Sequence, residues 1–147
     1  MKYIDRWRGY IKENKDTNKI VKVMIINKNN EVLVLQRSKE VKKYSEYWDL
    51  PGGHIKENED TAIAGNREAK EETNLDINLG EGDKFDILKR VTYYKTNYFK
   101  GNIILDKNEH TNYKWTNLEE IEELRFAPGT KERIKRGLSS ENKESAS

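Results

Sequence analysis

GHIKENEDTAIAGNREAKEETNL, residues 53–75, is the stretch that decides how this chain is read. Within it Arg67 is followed by Glu68, Glu71 and Glu72, three carboxylates at spacings i, i+3 and i+4. On an α-helix such positions share a face. Relative to Glu68, Glu71 falls about 60° to one side and Glu72 about 40° to the other. Three like charges within an arc of roughly 100° repel one another. A sequence that required only a stable helix would interleave them with lysines. The pattern asks for a cation among the carboxylates, and hard oxygen donors of this kind suit Mg²⁺ or Mn²⁺.

The surrounding spacing is more specific than the acids alone. Gly53 precedes Glu59, Arg67 and Glu68 follow, and the run closes through Ala69, Glu71, Glu72 and Leu75. This resembles the Nudix box, G-x5-E-x7-R-E-U-x-E-E-x-G-U with U apolar. The one departure is Asn74, which stands where the pattern has its last glycine. A helix ends there in a left-handed conformation, and Asn tolerates that conformation best after glycine. The substitution is therefore expected to be benign.

The resemblance implies an α/β fold: a Nudix-like α/β/α sandwich with a mixed β-sheet, the box forming a loop–helix–loop. It implies a divalent-metal-dependent hydrolase, a nucleotide pyrophosphatase that cleaves a nucleoside diphosphate linked to another group. The implied metal set is the Gly53 carbonyl with Glu68, Glu71 and Glu72, holding Mg²⁺ or Mn²⁺. Glu71 either ligates metal or accepts a proton from the attacking water. Arg67 enters the catalytic set mainly as scaffold, pairing with Glu59 or Glu71 to aim the ligands. Family members often carry a further acid outside the box, and Glu109 is the candidate. Arg37 by analogy reaches a substrate phosphate, and Trp48, beside the Gly-rich loop, is a candidate to stack on a base. Tyr93, Tyr94, Tyr98 and Trp115 are read as core residues before ligand residues, and His110 as structural or exposed.

Two alternatives accompany this reading. One is an RNA 5′-pyrophosphohydrolase or decapping enzyme, for which Lys39, Lys42 and Lys43, with Lys131, Arg133, Lys135 and Arg136, supply basic clusters. The other is a non-catalytic Nudix-fold nucleotide sensor. Such a module is expected to lose a metal acid, and none is lost here.

The rest of the chain sets bounds. Its 147 residues suit one domain, taken as residues 1–138. It is 34% apolar and 37% charged, against about 45–50% and about 25% in ordinary domains. A thin core under a charged surface is expected. A net charge of +2 does not argue for bulk attraction to nucleic acid. There is no cysteine, hence no disulfide framework or thiolate metal site. No apolar run approaches the roughly 18 residues a membrane span needs, and residues 1–10 lack a signal-peptide core. A cytoplasmic location is the expectation.

Residues 1–15 place Tyr3, Ile4, Trp7, Tyr10 and Ile11 at helical spacing. This suggests a segment packing on the domain or on a partner subunit, and so a possible homodimer. Ile20–Ile26 and Val32–Leu35 read as a hairpin around an Asn-rich turn, and residues 38–47 as a charged loop. The helix is placed near 60–73 with Asp60 as N-cap. A strand is expected at 75–79, and two more within 84–105 with a break near Thr96–Asn97. A short strand at 113–116 and helices at 117–124 and 130–137 complete the reading. Residues 139–147, polar and poor in apolar residues, are expected to be disordered.

Overall fold

The computed structural model describes residues 18–146. The aromatic segment at 1–15 lies outside the described residues. The elements run β1 (Ile20–Ile25), β2 (Val32–Arg37), β3 (Trp48–Asp49), β4 (Gly52–His54), α1 (Thr61–Thr73), β5 (Lys84–Leu88), β6 (Val91–Thr96), β7 (His110–Thr116) and α2 (Thr130–Ala146). A mixed sheet has the order β4-β1-β6-β5, with β1 and β6 parallel. A second, antiparallel sheet has the order β3-β2-β7.

Strand periodicity divides the core in two. Successive side chains on a strand face opposite sides. Val21, Val23 and Ile25 of β1, with Leu33 and Leu35 of β2, pack against Ala62, Ala64 and Ala69 of α1. Met24, Val32 and Val34 face the other way, onto Ile134 and Leu138 of α2. Each helix thus covers one face of the strands, which is the expected α/β/α sandwich.

Helix α1 begins and ends as its sequence dictates. The Asp60 carboxylate accepts from the N–H groups of Ala62 and Ile63 at 3.1 and 3.3 Å, so Asp60 is the N-cap. Asn74 ends the helix at φ 69°. Its buried positions include Ala62, Gly65, Ala69, Glu72 and Thr73, the stripe expected of an amphipathic helix. A carboxylate inside that stripe is the anomaly that matters below.

Several local expectations are corrected. β1 and β2 are joined by a tight turn, but after the single bridge Ile26–Val32 they part into different sheets. β1 takes β6 and β4 as partners instead. Residues 75–79 form no strand; Asp76 makes only an isolated bridge with Lys100. The break within 84–105 falls at Lys89 and Arg90, with Lys89 at φ 57°. That turn lacks the Gly, Asn or Pro that would have marked it. Residues 97–105 are irregular, while Phe99, Ile103 and Leu105 pack on the first core. Residues 117–124 hold only a 3-10 turn, at Glu120–Glu123. α2 runs through Gly137, where the helix had been expected to end, to Ala146. No proline follows Gly137 to stop the helix.

The Asn74 cap has more than a conformational role. Its Nδ2 donates to the Asn102 carbonyl at 3.1 Å, tying the helix end to the irregular segment. Asn74→Gly gains backbone ease and loses this bond, so stability in urea is expected to change by less than about 1 kcal/mol. Asn74→Ala loses both and should cost about 1–2 kcal/mol. Equal stability of the alanine variant and the parent would contradict this reading.

Candidate active site

The acid-bearing face of α1 and the β3–β4 segment meet at one cleft, a cavity of about 490 Å³. Its carboxylate wall carries Glu68, Glu71 and Glu72. Asp106 and Glu109 come from the turn before β7, and Lys22 and Arg37 from β1 and β2.

The close approach of helix and strand is made possible by two glycines. The Gly52 N–H donates to Glu72 Oε1 at 3.0 Å. A Cβ placed on Gly53 would lie 2.5 Å from a Glu68 carboxylate oxygen. A side chain at Gly53 would therefore occupy the space that the Glu68 carboxylate now fills.

Arg67 organises the loop and helix around these acids. Its Nε and Nη2 donate to the two Glu59 oxygens at 2.8 and 3.0 Å, a two-pronged pair. Nη2 also donates to the His54 carbonyl at 3.1 Å, and Nη1 to Glu68 at 3.1 Å. Glu71 receives a longer bond at 3.3 Å, and its carboxylate is 56% exposed. Arg67 is not part of the cleft wall; it fixes the loop that follows β4 against α1. Glu59 completes the lock by accepting from the Lys56 N–H at 2.9 Å.

Burial and charge push these groups in opposite directions. The Arg67 guanidinium holds the Glu59 carboxyl below its usual range. Glu59 in turn raises the Arg67 pKa, keeping it charged. Burial raises Glu68, with Arg67 opposing. Burial pushes Glu72 up to about 8, against the stabilising Gly52 N–H, and the negative charge of Glu68 adds to the rise. Two carboxyls are thus held where their own negative charge is poorly compensated, the environment a bound cation would relieve.

The donor chemistry fits a divalent cation. Glu68 and Glu72 offer hard oxygens on adjacent helical turns, beside the Gly52–Gly53 backbone. Mg²⁺ commonly takes one or two carboxylates and fills its shell with water and phosphate oxygens. Among the described residues no three acid or histidine side chains already converge on one point. Arg67 draws Glu68 and Glu71 toward itself, so the ready pair is smaller than the expected acid triplet.

The acids outside the box are set by a tight turn. The Glu109 and His110 N–H groups both donate to the Asp106 carbonyl at 2.9 Å. The Glu109 carbonyl accepts from the Ser38 N–H at 2.8 Å, anchoring the turn to the end of β2. Glu109 is among the residues that line the cleft. Arg37 is too, after a bulge between Gln36 and Arg37, and its Nε donates to the Lys43 carbonyl at 3.0 Å. His110 is buried at 4% exposure, with Nδ1 lacking a hydrogen-bond partner. Burial and the nearby Arg37 lower its pKa to about 4, leaving a neutral ring near pH 7.

Trp48 is the expectation the structure does not bring to the site. On β3, Asp49 faces the cleft and Trp48 faces the opposite side, packing with the second core. The alternation of a strand explains the divergence. Tyr93 and Tyr94 are core residues, and Trp115 packs on the first core against Phe99 at 5.4 Å. Sequence reasoning missed Lys22, Asp49 and Asp106. A charged residue inside the apolar run Ile20–Ile26 was the available signal for Lys22, as Asp49 between Trp48 and Leu50 was for its partner.

Known proteins resemble this chain in sequence and in fold. The NUDIX domain family model matches residues 16–137. Nudix hydrolase 8 of Arabidopsis thaliana is 31% identical over 115 residues, spanning 73% of this chain and 31% of that protein. The chain therefore spans under a third of that relative's length. The crystal structure of a MutT protein from Methanosarcina mazei Go1 superposes with a TM-score of 0.68 at 28% identity, covering 86% of this chain and 95% of that one. A C. elegans Ap4A hydrolase binary complex gives 0.64 at 28% identity, covering 82% and 96%.

The Glu72 shift has a testable sign. Its carboxyl titrates near 4.5 when unfolded and near 8 in the metal-free fold. The folded state holds the extra proton between those values, so stability is fullest below the lower one and declines as pH rises toward the upper. Without divalent metal, the melting temperature should fall by a few degrees between about pH 6.5 and about pH 8. Glu72→Gln should flatten that slope. A parent protein whose melting temperature holds level across this range would contradict the assignment.

Proposed function

The chain belongs to the Nudix family, and from that premise we propose that it is a divalent-metal-dependent pyrophosphohydrolase. Its substrate class is a nucleoside diphosphate linked to a further group, such as a nucleoside triphosphate or a nucleotide sugar. The observation that carries the reading is the pair of buried Glu72 and half-buried Glu68, set against the Gly52–Gly53 backbone in the cleft. The cavity, about 490 Å³, is within the usual range for small-ligand sites.

In this reading Glu68, Glu72 and the Gly53 carbonyl hold the metal, with Glu71 beside them. Bound there, Mg²⁺ or Mn²⁺ supplies Lewis-acid chemistry and activates water near neutral pH. The protein groups do the rest. Arg67 and Glu59 keep the loop and helix in register, so the acids meet the substrate already oriented. Glu109 or Glu71 accepts a proton as a water oxygen bonds to phosphorus. The bridging P–O bond breaks, and its electron pair leaves with the departing phosphate. Arg37 meets a phosphate oxygen on the far wall.

The experiment is a phosphate-release screen across nucleotide classes with Mg²⁺ and then Mn²⁺. Glu71→Gln and Glu72→Gln are each expected to lower turnover by at least about 100-fold. EDTA should abolish activity and added metal restore it. Turnover that survives EDTA and both substitutions would overturn the reading. Metal-dependent ligand binding without turnover of any nucleotide would favour a sensor instead.

A further inference from the structure

Among the described residues six carboxylates line the cleft, those of Asp49, Glu68, Glu71, Glu72, Asp106 and Glu109, against two cationic side chains, Lys22 and Arg37. A polyphosphate entering such a cleft needs cations of the protein as well as any metal. Arg37 directs its Nε to the Lys43 carbonyl. Lys22 is held differently.

Lys22 lies on β1 directly opposite Gly52 of β4. A Cβ on Gly52 would sit 3.1 Å from Lys22 Cδ, so the lysine stem crosses the bare glycine. The same Gly52 donates its N–H to Glu72. One residue thus adjoins both a metal-side acid and the cation. The Lys22 ammonium meets Asp49 Oδ2 at 2.6 Å, and the lysine side chain keeps 19% exposure.

Asp49 is placed to hold that ammonium still. Its carboxylate is 7% exposed. Its other oxygen accepts from Thr130 Oγ1 at 2.8 Å and from the Leu50 N–H at 2.8 Å. Thr130 is the first residue of α2, so the second helix anchors the cation through Asp49. An ammonium carries three donors, and Asp49 takes one of them. Lys22 is among the residues that line the cleft. A partly buried ion pair is by itself weak evidence of stabilisation.

We propose that Lys22, fixed by Asp49 and Thr130, binds a phosphate of the substrate chain beside the carboxylate face of α1. This rests on the pyrophosphohydrolase reading above. Lys22 touches substrate in this account, and Asp49 is a positioning residue that acts through it.

The test compares Lys22→Met, Lys22→Arg and the double variant Lys22→Met/Asp49→Asn, which leaves no unpaired buried charge. Two readouts are taken: KM and kcat on the best nucleotide from the screen, and Kd for inorganic pyrophosphate with Mg²⁺ by calorimetry. Lys22→Met and the double variant should raise KM and Kd by at least about 10-fold, with kcat changing far less, because a uniform binding contact is lost. Lys22→Arg should recover most of the affinity. The salt dependence of pyrophosphate binding should weaken in both methionine variants, because one cation fewer meets the anion. Unchanged KM and Kd in the folded double variant would overturn the proposal. So would an absence of pyrophosphate binding by the parent protein. Should the parent bind pyrophosphate through Lys22 yet hydrolyse no nucleotide, the enzymatic reading fails and the phosphate site stands.

Discussion

The structure turns on a carboxylate placed where a helix should be apolar. Glu72 occupies the buried stripe of α1, 8% exposed, and accepts one N–H from Gly52. A single amide does not compensate a buried negative charge, and burial dominates its raised pKa. Everything around it follows from keeping that group in place. The strand must come close, so positions 52 and 53 are glycine. At Gly52 a Cβ would collide with the Val21 carbonyl, and at Gly53 with the Glu68 carboxylate. The helix must lie flat on the sheet, so its other inward residues are small, Ala62, Gly65 and Ala69.

The two networks flanking Glu72 have different tasks. On one side Arg67 links Glu59, His54 and Glu68, tying loop to helix through charge-assisted bonds. On the other, Asp49 links Lys22 to the start of α2. The first sets the acids, the second sets a cation, and Gly52 stands between them. In the proposed function, a cleft built this way has its charges fixed before substrate arrives. Such preorganisation is where most of the catalytic benefit of polar groups lies.

What could be read from sequence follows the physics of each element. The helix, its Asp60 cap and its left-handed end at Asn74 are local events, governed by residues within a few positions, and these were legible. Glu59 was legible as one of two possible partners of Arg67 because only the Asp60 cap and the first turns of α1 separate them. Strand partnership was not. β1 and β2 are adjacent in sequence with a turn between them, yet β1 pairs with β6, some 70 residues later. Nothing local distinguishes that outcome from a hairpin. The irregular run 97–105 misled for a related reason. Its apolar residues Phe99, Ile103 and Leu105 are partly buried by packing on α1's side of the core, not by a ladder. Lys22 and Asp49 were missed because their pairing spans 27 positions, and neither falls in the box. Trp48 packs on the second core rather than lining the cleft, and which face of a two-residue strand meets the cleft depends on pairing with β2.

The central claim is that the bare backbone at Gly53 lets the Glu68 carboxylate stand where a cation can reach it. The direct measurement is Mn²⁺ affinity by electron paramagnetic resonance, comparing the parent protein with Gly53→Ala, with circular dichroism confirming the fold. The account predicts that the added methyl displaces Glu68 and weakens Mn²⁺ binding by at least about 10-fold, the range typical when a metal site's geometry is disturbed. A folded Gly53→Ala protein that binds Mn²⁺ as tightly as the parent would contradict it.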